Sequence, residues 1–158
     1  MLSSLRVVLN MGEWERLLKS LSEEVESAKV LELLDAIKPF ANEEQVKEKV
    51  VELLLNSSDR LVRIKATEVL EELTSADGRV VDVLITSLLN DPDAFVRGFS
   101  AKVLGKLGDV RAIDFLKKAQ EDEDGFVRHY ASEALKVLEM KGRLLSIIQK
   151  AKGGLVSG

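Results

Sequence analysis

One short pattern recurs three times along the chain, and a recurrence of this length restricts the fold to stacked copies of a single supersecondary unit. With Arg63, Arg97 and Arg128 placed in register, 34 and 31 residues apart, each arginine follows a valine: Val62, Val96 and Val127. Two residues before each arginine stands a large apolar side chain (Leu61, Phe95, Phe126), and four before it an aspartate (Asp59, Asp93, Asp124). A small residue follows at +3 (Ala66, Ser100, Ala131), a leucine at +7 (Leu70, Leu104, Leu135) and another at +10 (Leu73, Leu107, Leu138). Offsets −1, +3, +7 and +10 share one stripe of a 3.6-residue helix, which is the stripe a helix buries. The aspartate at −4 suits an N-cap, where a carboxylate accepts from the orphan amides of the first turn.

Upstream of two of these helices the sequence opens a shorter one, again at an aspartate, Asp77 and Asp109. The corresponding helix of the earliest unit is expected to start at Asn42, with Gln45 completing a capping box. The pattern predicts helices over 2–10, 13–20, 23–38, 43–56, 60–74, 79–90, 94–107, 110–121, 125–140 and 143–152. Residues 1–158 then form a single all-α domain: degenerate capping helices at 1–42, three clear repeats at 43–140, a C-terminal capping helix at 141–152 and a flexible tail at 153–158. In the degenerate part Val30, Leu31 and Leu34 echo Val69, Leu70 and Leu73, while Glu24 takes the arginine column. Pro39 is expected to end the helix before Asn42.

Composition fits this plan and excludes several functions. Hydrophobic residues are 46% and charged residues 32%, the balance of a chain with a real interior, and aromatics are only 4%. Without cysteine there are no disulfides, thiolate nucleophiles or zinc knuckles, and the expected compartment is the reducing cytoplasm. No run approaches the roughly 20 apolar residues of a spanning helix, and no leader pattern opens the chain, so no membrane is expected. A net charge of −4 with interleaved signs disfavours a nucleic-acid partner. The missing cysteine, sparse amides and abundant charge are also consistent with a thermophilic source.

The columns resemble the HEAT repeats, and more narrowly the subgroup first noticed in phycocyanobilin lyases. The stretches that carry this run from Asp91 to Asp109 and from Asp122 to Leu135. The resemblance implies an alpha-alpha superhelix, a solenoid of antiparallel helix pairs. It also implies a ladder linking neighbouring repeats, built from each column arginine and the aspartate six residues earlier: Asp91 with Arg97, and Asp122 with Arg128. Ser57 stands where the earliest repeat would carry that aspartate.

Chemistry is hard to place on such a surface. A lone histidine, His129, cannot supply a repeated His-Glu metal centre, and no cofactor or catalytic group is expected. Gly105 and Gly108 suit turns and close packing, and there is no strand to carry a phosphate loop. Trp14 suits packing beneath the next helix. The expected function is non-catalytic: a protein-binding scaffold or adaptor using the surface of stacked helices. The alternative is a lyase-like or assembly-chaperone helper holding a substrate protein or small cofactor in the groove. Offsets +1, +5 and +8 lie opposite the buried stripe and are expected to face solvent. The candidate surface is therefore Gly98, Phe99 and Lys102 in one repeat, with Gly105 in the same register, and His129, Tyr130, Glu133 and Lys136 in the next. Phe99 and Tyr130 sit at its edge, and a depression is expected at Gly98 beside the Phe99 ring.

Overall fold

The aspartates of the −4 column do start helices. Asp59 accepts from the Leu61 amide at 2.8 Å, Asp93 from Phe95 and Val96 at 2.9 and 3.2 Å, and Asp124 from Phe126 at 2.8 Å. Asp77 and Asp109 cap in the same way, accepting from Arg79 and Arg111 at 2.9 Å each. The chain is seen here as a computed structural model that describes the backbone of residues 2–156 and the side chains of residues 12–154. Every regular element among the described residues is helical. Two compact units divide the chain, Met1–Ser75 and Ala76–Gly158.

The first unit holds α1 (Leu2–Glu23), α2 (Ser27–Ile37), α3 (Glu44–Asn56) and α4 (Arg60–Leu70). Here α2 and α3 both pack on α4, and α1 packs on α2 and α3. The core is built from Leu21, Leu34, Ile37, Val46, Val50, Leu54 and Leu70, with Trp14 buried alongside. Trp14 thus takes the packing role expected for it, although its indole N–H finds no acceptor among the described residues. Helix α1 is continuous where two helices over 2–10 and 13–20 were expected. Gly12 passes through it, since an interior glycine costs a helix roughly 1 kcal/mol but removes no hydrogen bond. Asn42 is not the cap of α3: the helix begins at Glu44 without a side-chain cap, and the Asn42 amide oxygen accepts from the Thr74 N–H and hydroxyl, both at 3.1 Å. The loop that leaves α4 takes that acceptor.

The second unit holds α5 (Gly78–Asn90), α6 (Ala94–Leu107), α7 (Ile113–Ala119) and α8 (Gly125–Val156), with one 3-10 turn at Val110–Ala112 before α7. Each short helix packs against the long one that follows, and the pairs stack through α6 on α8 and α5 on α7. The predicted stripe is the core: Val96, Ser100 and Leu104 from α6, and Val127, Ala131, Leu135 and Leu138 from α8. Gly108 ends α6 with φ at 74°, a left-handed conformation suited to glycine. The separate helix expected over 143–152 is absent. Instead α8 runs unbroken from Gly125 to Val156, through Gly142, because nothing at that glycine diverts the chain.

Candidate protein-binding surface

Helices α6 and α8 share a face because two glycines let them approach. A Cβ built on Gly98 would stand 2.4 Å from the Phe126 ring, and one on Gly105 would stand 2.8 Å from Cα of Ala134. Both glycines are therefore buried, and the expectation that Gly98 faces solvent beside a depression is corrected: the Phe126 ring fills that place. The same contact corrects the solvent-facing assignment of Gly105 and bears out its close-packing reading. Offsets +1 and +8 point away from the core of their own repeat, yet in α6 they form the seat for the next repeat.

The aromatic side chains gather where the two helices meet. Phe126 packs edge-to-face on Phe95, Phe99 and Tyr130, with centroids 4.9, 5.3 and 4.9 Å away, and the imidazole of His129 lies 5.2 Å from the Tyr130 ring. Four of the chain's seven aromatic residues occupy this row, so the concentration is not a reflection of composition. Phe95 retains 48% of its surface in water, Phe99, Phe126 and Tyr130 are half-buried, and His129 is exposed. Phe99 and Tyr130 were visible from the sequence as edge residues. Phe95 and Phe126 were not assigned to the surface, although their shared −2 column of bulky apolar groups was the available signal.

Around this row the remaining candidates are polar. Lys102 is half-buried, and Glu133 and Lys136 are exposed and paired with each other at 2.8 Å. Hydrogen bonding from Lys136 holds the Glu133 carboxyl below its ordinary range.

The ladder exists with a different partner. The buried Arg97 guanidinium grips Asp122 through two parallel bonds, Nε to Oδ2 and Nη2 to Oδ1, both 2.9 Å. With its remaining edge Arg97 donates to the main-chain carbonyls of Asp91 and Pro92, at 3.0 and 3.4 Å. The expected side-chain pairing of Asp91 with Arg97 within one repeat is replaced by a link from Arg97 to the Asp122 of the next. The reason is geometric, because an arginine bound to its own preceding loop through one edge aims its fork outward. Arg128 holds its own loop in the same manner, donating to the carbonyls of Asp122 and Glu123 at 2.8 Å each, and the expected pair with the Asp122 carboxylate is likewise not formed. Arg97 pulls the Asp122 carboxyl below the usual range, chiefly through this hydrogen bonding, against a smaller opposing effect of burial. Asp122 also accepts from the Asp124 N–H at 2.9 Å, as Asp91 does from Asp93; in the earliest repeat Ser57 keeps that turn with its hydroxyl at 3.3 Å.

Paired helices in which a recurring arginine holds the preceding loop and a recurring aspartate caps the helix match a known profile: the HEAT repeats align with residues 46–136 of this chain. The chain belongs to the HEAT-repeat family. A curated relative, a protein named phycocyanobilin lyase subunit alpha from Nostoc sp., is 29% identical over 123 residues, 74% of this chain. The chain spans 45% of that relative's length. Within the HEAT-repeat chain no three His, Asp or Glu side chains among the described residues gather as for a metal ion. Among the described residues no helix is long and apolar enough to cross a membrane.

Proposed function

We propose that this chain is a non-catalytic protein-binding scaffold whose contact surface is the aromatic row of α6 and α8 with its polar border of Lys102, His129, Glu133 and Lys136. The observation that carries the reading is the clustering itself. Half-exposed rings supply large contact area at low entropic cost, and interfaces concentrate their energy at such anchors. Phe95 is the most accessible of them, with 48% of its surface in water.

A second reading rests on the relative's name, which describes a lyase subunit acting with phycocyanobilin. In that reading the surface holds a substrate protein or a small planar cofactor against the rings. Affinity capture from the source organism separates the two, since an adaptor retains a polypeptide and a helper retains a coloured or small ligand. With the captured species in hand, Phe95→Ala, Phe99→Ala, Tyr130→Ala and Lys102→Glu are expected to weaken the complex about tenfold or more at the strongest anchor while circular dichroism stays helical. Undiminished affinity in all four variants moves the interface elsewhere.

A further inference from the structure

The last turns of α8 carry a surface that the aromatic row does not explain. Val137, Met140, Leu144 and Ile147 are 54%, 71%, 56% and 64% exposed, large apolar groups left in water. With Ala151 their spacing is three, four, three, four, the a/d alternation of a helix that packs along another helix. The seam runs roughly 21 Å at the rise of an α-helix. The residues beside it are cationic: Lys136, Arg143 and Lys150 on one flank and Lys141 on the other with Ile148 below it, Lys136 being paired with Glu133 and Lys141 donating to the Gly108 carbonyl. Between Met140 and Gly154 there is no Asp or Glu, and Arg143, Lys150 and Lys152 meet no carboxylate among the described residues.

We propose that this rib of α8 is the docking site for an amphipathic helix of a partner protein whose own apolar seam is flanked by Asp and Glu. Charge decides among the possible occupants. A second copy of this chain would set Lys136 against Lys141 in a parallel pair, and Arg143 and Lys150 against the same flank's cations in an antiparallel one. The antiparallel pair opposes like charges, and the parallel one sets Lys136 against Lys141 and Arg143 against Ile148, so neither gives these cations an acidic partner, which a helix flanked by Asp and Glu supplies. An anionic bilayer would suit the cations, but the chain as a whole is net −4 and its polar face here is Gly142, Ser146, Gln149 and Gly153, uncharged where a surface-lying helix concentrates its lysines. Leu145 and Ile148, 49% and 42% exposed, extend the apolar face to one side of the seam.

The test uses the full chain and two synthetic three-heptad peptides with leucine at the seam positions, one flanked by glutamate and one by lysine. Fluorescence anisotropy is expected to show the glutamate peptide binding about tenfold or more tightly than the lysine peptide, with the difference shrinking as salt rises from about 0.05 to 0.5 M. Leu144→Asp and Ile147→Asp are expected to abolish binding, and the double variant Arg143→Glu, Lys150→Glu to favour the lysine peptide. All four side chains are exposed, so melting curves should stay unchanged. Phe95→Ala should leave peptide binding intact, which separates this site from the aromatic row. Equal affinity for the two peptides, binding of neither, or binding that survives Leu144→Asp would overturn the proposal. So would a sedimenting dimer dispersed by Ile147→Asp, which gives the seam to a second copy, or tighter binding to phosphatidylserine vesicles than to the glutamate peptide.

Discussion

Helices α6 and α8 carry the same columns and meet opposite surroundings. At +1 and +8 α6 has Gly98 and Gly105, both covered by α8, whereas α8 has His129 and Lys136, both in water. At the column arginine, Arg97 is buried and clamps a carboxylate of the next pair, while Arg128 is exposed and holds only its own loop carbonyls. The two helices show that a repeat column specifies a local role, here helix start and core stripe. Whether its outer positions become an interface depends on the neighbour. Glycine marks the covered copy because the helix axes can close only where no Cβ intervenes. Charge marks the uncovered copy, whose outer positions meet water.

The sharpest way to break this comparison is to remove the clamp. Asp122→Ala leaves Arg97 buried without its carboxylate and is expected to cost about 3–5 kcal/mol of unfolding free energy. Arg128→Ala, which loses only exposed bonds to carbonyls, should cost about 1 kcal/mol or less. Urea denaturation of both variants measures the contrast, and equal losses would mean that the second unit does not depend on the ladder. The same clamp predicts a pH dependence. Arg97 holds the Asp122 carboxyl below its unfolded value, so the stabilisation is present above the ordinary carboxylate pKa of about 3.9 and lost as pH falls through the lower folded value. Between about pH 4 and pH 2, Asp122→Ala should therefore lose stability less steeply than the parent chain.

A glycine at the interface gives the next largest effect. Gly105→Ala would place a methyl 2.8 Å from the Ala134 backbone, where no side chain can rotate aside, so α8 itself must move. The expected cost is about 1–3 kcal/mol by overpacking. Lys136→Ala, in the same column of the uncovered helix, should stay within roughly 0.5 kcal/mol of the parent. A tolerated Gly105→Ala would show that α6 and α8 are held less closely than their geometry implies.

What was legible in the sequence divides along the same line. The helix caps at Asp59, Asp93 and Asp124 and the stripe through Val96, Ser100 and Leu104 are dictated within one helix, where periodicity and orphan amides suffice. Apart from the helix breaks expected near Gly12 and Gly142, the errors involve a second partner. Gly98 was assigned to solvent because its own repeat leaves it uncovered, and Arg97 was paired with Asp91 by family resemblance because the fork's direction is invisible in the sequence. Asn42 was given the generic role of its residue type, while Thr74, 32 positions away, took the acceptor. Of the candidate surface, Phe99 and Tyr130 were found from phase alone. The contribution of Phe95 and Phe126 required knowing that two repeats meet edge to edge.

Gly142 supplies the smallest effect and completes the contrast among glycines. The sequence pattern predicts one helix ending at residue 140 and another starting at residue 143, on either side of Gly142. In the structure α8 continues through Gly142, and a Cβ built there meets nothing within 4 Å. Its lack of a side chain therefore serves no packing, unlike that of Gly98 and Gly105, and only its backbone entropy remains to count. Gly142→Ala should raise stability or helicity by the equivalent of about 0.5–1 kcal/mol, the ordinary gain of alanine over glycine inside a helix. Far-ultraviolet circular dichroism with a thermal scan measures it. If alanine is neutral or destabilising instead, α8 bends at Gly142 in solution, and the seam from Val137 to Ala151 is two short segments and not one rib.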